Sequence, residues 1–239
     1  MIRPAGYPLM ASISSRPILP LVLSFNAGFV DTAGFLALQG LFTAHVTGNF
    51  VTLGASLVLG TSGAIAKLLA LPVFCVVVIG ARWLGTLLSH HSTHPFVPLL
   101  VLKVLLLIAG SAMAIHFGPF HDGDSWQAIA TGMVLVAAMA IQNAVHRVHL
   151  SSAPPSTLMT GTTTQVMLDI ADVIYPREGA QVQTPRLVQM ATNVVVFAIG
   201  CGTAALLFSR FSVWCFVVPP VVGALSLVIR LTQPSEAAR

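Results

Sequence analysis

The sequence predicts an all-α protein: a polytopic transmembrane helix bundle of two repeated halves. Three observations carry that prediction. Charged residues make up only 8% of the 239 residues while 56% are hydrophobic, whereas a soluble domain carries about 25% charged residues. Such a chain cannot cover a globule in ionised side chains, so lipid must solvate most of its surface. Long charge-poor runs recur along the chain. A threonine–glycine segment, too short to span, occurs once in each half.

The runs lie near 18–40, 66–90, 97–117, 126–147, 187–209 and 212–230. Each is about 19 to 25 residues, enough for a helix to cross a ~30 Å hydrocarbon core. Break signals separate them: "HHSTHP", "HFGPFHDGDS", "SSAPPS" and "YPREGAQVQTP", all rich in turn formers. Trp126 marks a span end, where an amphipathic ring prefers to lie. Residues 18–231 thus form a single transmembrane domain, with repeat one at about 18–117 and repeat two at about 126–231. Residues 1–17 and 232–239 are cytoplasmic tails. The first run resembles a signal peptide but continues through Asp31 without a convincing small-residue cleavage site, so it is read as an uncleaved helix.

Segments 47–60 and 160–174 are left over. The first, "TGNFVTLGASLVLG", has about ten apolar residues, half a bilayer's worth. The second contains Asp169 and Asp172, and each Asp at a lipid-facing helix centre costs about 2.5–3.5 kcal/mol. Polar-headed pieces of this kind are tolerated at depth only inside protein or beside water. They are therefore expected to be half-helices beside about six crossings, with eight crossings as the alternative. Loop charge does not separate the two. With six crossings, Arg3, Arg16, Arg147, Arg177, Arg186, Arg230 and Arg239 face the cytoplasm and Lys67 and Arg210 the outside. With eight, Lys67 and Arg147 merely change places.

The halves match in order. "TGNFVTL" at 47–53 answers "TGTTTQV" at 160–166, and "VIGARWLGTLLS" at 78–89 answers "AIGCGTAALLFS" at 198–209. "VDTAGF" at 30–35 answers "IQNAVH" at 141–146, which sets Asp31 opposite Gln142. Three crossings per half would invert the second half, the common build of secondary transporters. Each T-G segment would then start a half-helix. Thr47 or Thr160 can cap its free N–H groups, and the remaining amides favour an electron-rich solute atom. Thr47, Gly48, Asn49, Thr160, Gly161 and Thr162 are thus candidate pathway residues; the other reading is that T-G caps a tightly packed helix.

Asp31, deep in the first run, is a candidate proton or cation site, or else the hydrogen-bonded centre of a helix seam. Gln142, Asn143 and His146 either line the pathway or glue helices, and Asn193 is read as glue. Arg82 and Lys103 are read as snorkelling to the interface. Cys75, Cys201 and Cys215 are expected to be buried, inert thiols. His90, His91 and His94 precede Pro95 without nearby acids, so a wet loop is expected there rather than a metal. No cofactor or metal is expected. Scattered basic residues argue against nucleic acid, and no catalytic motif points to an enzyme, although Asp31 and His45 invite an acid–base pairing.

"GFVDTAGFLALQGLFTAHVTGNFVTLG", "AIQNAVHRVHL" and "TLMTGT" resemble the YoaK family of bacterial inner-membrane proteins, a domain of unknown function, from about Pro20 to Ile229. The resemblance implies a compact multi-pass protein with its recurring blocks at Gly28, Asp31, Thr47, Gly48, Asn49, Gln142, Asn143, Thr160 and Gly161. Where T-G-N might recur, this chain has Thr162. The expected function is transport of a small polar or anionic solute across the bacterial inner membrane, with Asp31 as coupling site and a homo-oligomer left open. A non-transporting scaffold or partner-binding subunit is the alternative.

Overall fold

The computed structural model describes residues 18–89, 96–157, 159–175 and 183–232. The predicted tails, apart from Thr232, and the His90, His91 and His94 loop lie outside them. The described residues form α1 (Ile18–Ala37), α2 (Asn49–Leu59), α3 (Ala64–Ser89), α4 (Phe96–Phe117), α5 (Trp126–His149), α6 (Met159–Ile174), α7 (Thr184–Phe211) and α8 (Val218–Thr232), with 3-10 turns at Val46–Gly48 and Ser212–Val217. Five stretches are long and apolar enough to cross a membrane; the last, Thr184–Thr232, covers 49 residues. The 3-10 turn at Ser212–Val217 divides it into α7 and α8.

The face at which α1 begins is called near, and the other far. α3, α5 and α8 end at the near face, and their ends bring Arg82, Arg147 and Arg230 there. The far face carries Lys67 and Arg210. It is tied together by Asp124, whose carboxylate accepts N–H bonds from Gly63 (2.9 Å), Ala64 (3.2 Å) and Ile65 (2.8 Å) at the head of α3. An acidic group at a helix N-terminus satisfies amides that the helix leaves free.

α1 packs on α7 and α8, α5 on α3 and α4, α4 on α8, α2 on α3, and α6 on α7. The α1–α7 crossing is the tightest. A Cβ at Gly28 would run into the carbonyl oxygen of Phe197, and one at Gly200 into that of Phe25. Glycines at a crossing let backbones approach where lipid offers no hydrophobic push between helices. The core falls into two clusters of buried apolar side chains. One, toward the near face, holds Leu19, Leu23, Leu99, Leu100, Ile141 and Val145. The other, toward the far face, holds Ala27, Val30, Leu107, Leu135 and Met139.

α2 and α6 are 11 and 16 residues long, about 16 and 24 Å by helical rise, short of a ~30 Å core. Their outer faces are apolar and open to lipid: Val51, Leu57 and Val58 on α2, Met167, Leu168 and Ile174 on α6. Gly60, in the left-handed region at φ 68°, closes α2 and turns the chain back toward α3.

Candidate functional site: two re-entrant turns

Each short helix begins below the membrane face to which it returns. α1 ends at Ala37 on the far side, yet the chain dips back so that Asp31 Oδ1 accepts the backbone N–H groups of Thr43 (2.8 Å), Ala44 (2.7 Å) and His45 (3.3 Å). Asp31 precedes the end of α1 by six residues, about 9 Å of helical rise. α2 then climbs back to the far face. There Lys67 Nζ donates to Ser56 Oγ (2.6 Å) and the Ser62 carbonyl (3.2 Å), fixing the end of α2 to the start of α3.

The second half repeats the manoeuvre from the near face. α5 ends at His149, and the following loop returns to the level of Gln142, seven residues and about 10 Å below. Gln142 Nε2 donates to Ser156 Oγ (3.1 Å) and to the Leu23 carbonyl of α1 (2.9 Å). Thr157 Oγ1 donates to Asn143 Oδ1. Asn193 Nδ2 of α7 donates to the carbonyls of Pro155 (2.9 Å) and Pro154 (3.4 Å), while its Oδ1 accepts from Ser24 Oγ (2.7 Å). His146 Nε2 lies 3.4 Å from the Ala153 carbonyl.

These bonds show what the expected pathway residues touch. Asn49 clamps its own turn: Oδ1 accepts from Phe42 N and Nδ2 donates to Phe42 O, both at 2.8 Å. It is buried, whereas Thr47 is exposed. Thr47 does not cap α2, because a 3-10 turn leads into the helix through Gly48, which makes no side-chain cap. Thr160 and Gly161 lie in the first turn of α6 and are exposed, and nothing stands within 4 Å of a Cβ built on Gly161; Thr162 is buried. The two T-G segments do not share one centre: α2 seats on α3 and α6 on α7. The N–H groups of residues 43–45, just before the first T-G segment, are taken by the protein's own Asp31 carboxyl.

His45 reaches Asp31 through its backbone; its ring lies against Phe42, centroids 5.8 Å apart. Arg82 is exposed at the near face as expected. It lines a cleft of about 210 Å³ with Thr86, Ser89, Leu99, Val145 and His149. Arg230 stands over the Phe96 ring at 5.0 Å beside it. Lys103 corrects the sequence reading. It does not snorkel: the residue is 0% exposed and its Nζ has no hydrogen-bond partner among the described residues. Cys75 also differs from expectation, lying exposed on the lipid side of α3. Asn26, never singled out in the sequence, is 1% exposed with neither side-chain atom bonded. The signal was there, an amide within an apolar run one turn from Asp31's face. Among the described residues no group of three or more His, Cys, Asp or Glu could hold a metal ion.

The chain is 27% identical over 218 residues to the UPF0700 transmembrane protein YoaK of Bacillus subtilis strain 168, covering 87% of this chain and 92% of that one. No solved structure matches it. Residues 19–229 match the family described as a protein of unknown function, DUF1275. The chain is an integral membrane protein and belongs to the DUF1275 family.

Proposed function

We propose that the protein is a transporter or channel for a small polar or anionic solute in the bacterial inner membrane, with its N-terminus cytoplasmic. The observation that carries this reading is the pair of re-entrant segments, one dipping from each face. Such irregular backbone is tolerated at depth where it lies in protein or borders a cavity, and it is a recurring element of transporter sites. The packing supports an inverted internal repeat. Exchanging α1 with α5, α2 with α6, α3 with α7 and α4 with α8 leaves the set of main contacts unchanged: α1 on α7 becomes α5 on α3, and α4 on α8 maps onto itself. The basic near face fits the cytoplasmic side. The activity is transport rather than catalysis.

Asp31 in this reading sets the depth of the first turn. A proton delivered to Asp31 would weaken three N–H bonds at once, so coupling and movement of the 43–45 turn would be one event. The second reading, a scaffold without a pathway, is favoured by the same bonds and by the close α1–α7 seam, both features of a packed interior.

Single cysteines at Thr47 and Thr160, in a variant without Cys75, Cys201 and Cys215, separate the two. A charged, membrane-impermeant thiosulfonate should label position 47 from one side of the membrane and position 160 from the other. Protection of both positions in intact vesicles would sink the pathway and leave the scaffold.

A further inference from the structure

The two apolar clusters of the core are joined through the partly buried Leu106, which packs against both. On α1 one ends at Leu23 and the other begins at Ala27; on α4 one ends at Leu100 and the other begins at Leu107. In these gaps lie buried polar side chains, Ser24 and Asn26 on α1 and Lys103 on α4, and Gln142 on α5, Asn193 on α7 and Ser226 on α8 are buried near the same depth. Part of this layer is satisfied internally, through Asn193 with Ser24 and Gln142 with Leu23. The rest is not. Lys103 Nζ, Asn26 Nδ2, Asn26 Oδ1 and Gln142 Oε1 are enclosed and unbonded. These groups come to one level. Asn26 and Lys103 lie eight and seven residues into helices that start at the near face, and Gln142 lies seven residues before the near-face end of α5. A Cβ on Gly223 would stand 3.0 Å from Leu107, 3.4 Å from Val104 and 3.9 Å from Asn26 Nδ2. The Asn26 amide and Val104, the residue that follows Lys103, therefore approach the same point on α8.

An ammonium has three donors and no acceptor, and buried charges are paired or bind something. Among the described residues no acid is bonded to Lys103. Asp31 is occupied by three amides, and Asp124 by the head of α3. The near-face cleft points the same way. Leu99 lines it, and Lys103 lies one helical turn deeper on the same face of α4. A helical side chain leans toward its own N-terminus, here toward the cleft. Arg82 lines that cleft and would draw anions to its mouth.

Resting on the transport reading above, we propose that this polar layer binds a small soluble anion, with Lys103 Nζ and Asn26 Nδ2 as its donors and the Arg82–His149 cleft as its entrance. The anion replaces the missing counter-charge.

The test uses the full chain in detergent at constant ionic strength, with sodium gluconate exchanged for sodium nitrate or sodium formate. Ligand that binds only the folded state raises its stability. The wild-type Tm should rise by roughly 5 °C or more once the anion is well above its Kd. Lys103→Met, which keeps length and volume without charge, should show no anion-dependent rise, and Lys103→Gln serves if that variant fails to fold. An equal rise in the variants, or none in wild type, overturns the site. So does a rise produced by phosphatidylglycerol and by neither salt, which would assign Lys103 to a lipid head group. Valinomycin-driven swelling of proteoliposomes in potassium nitrate separates this proposal from the function on which it rests. A Lys103-dependent Tm rise without swelling keeps the site and removes transport. Swelling that survives Lys103→Met keeps transport and removes the site.

Discussion

The two re-entrant turns do the same job with opposite chemistry. In the first, residues 43–45 present three N–H groups inward, and a carboxylate, Asp31, accepts all of them. In the second, the loop reads Ala153-Pro154-Pro155-Ser156. Proline has no N–H, so this turn presents carbonyls, and donors answer them: Asn193 Nδ2 to Pro154 and Pro155, His146 Nε2 beside Ala153. A carboxylate there would face oxygen with oxygen. The proline carbonyls are gripped from α7 by Asn193, while Gln142, at the place matching Asp31, ties the Ser156 hydroxyl to the Leu23 carbonyl of α1. A gripping residue is selected by the donors and acceptors its turn exposes, and symmetry of topology does not require symmetry of charge.

Stranding the first turn should have the largest effect. Asp31→Leu leaves three amides without an acceptor, each worth about 1–3 kcal/mol when enclosed. The total, allowing for relaxation, is on the order of 3–5 kcal/mol, seen as a collapse of Tm in detergent or loss of monodisperse protein. Asp31→Asn keeps an oxygen but loses the charge assistance, about 1–2 kcal/mol. The opposite exchange on the second turn sharpens the contrast. Asn193→Asp keeps the Ser24 bond but sets a carboxylate against two proline carbonyls, costing about 2–3 kcal/mol. If it proves milder than Asp31→Asn, the donor–acceptor account of the two turns is wrong. Pro155→Ala should lower stability by about 1 kcal/mol, because it adds a loop N–H with no acceptor and frees the unfolded chain.

Hydropathy made the long helices legible, some almost to the residue: the run at 126–147 became Trp126–His149 and that at 97–117 became Phe96–Phe117, whereas the run at 212–230 is α-helical only from Val218. It also marked α2 and α6 as too short. Asp31 and Gln142 stood out as polar groups in matched places. Their partners did not: those of Asp31 are backbone N–H groups of a loop and those of Gln142 are a loop hydroxyl and an α1 carbonyl, and the side-chain pattern does not encode the loops' path. Thr47 was misread as a cap for the same reason: a 3-10 turn, invisible to periodicity, leads into the helix. Lys103 was misread because α4 is apolar all round, so no stripe tells which side of it faces the bundle. A lysine seven residues into such a helix reads equally as a snorkeller or as a core group. Only the packing of α4 on α5 and α8 decides.

The smallest predicted effects lie at the two T-G glycines, and they differ in sign. Gly48 has helical backbone angles, so an alanine meets no conformational penalty there. Its Cβ would come 3.1 Å from Phe42 Cδ2, in a ring held between Phe35 and His45. The ring cannot yield without disturbing the Asn49 clamp on Phe42, so Gly48→Ala should lose about 1 kcal/mol. Gly161 lies within the first turn of α6 with nothing near its Cβ. Alanine there gains helix propensity and meets no neighbour, so Gly161→Ala should be neutral or stabilise by up to about 1 kcal/mol. Equal Tm shifts for the two variants would mean that the second segment is also tightly seated. The first T-G turn is closed by its own side chains, whereas the second leaves its glycine open, so a bulky residue at position 161 that slows flux without lowering Tm would put the moving solute on the α6 side.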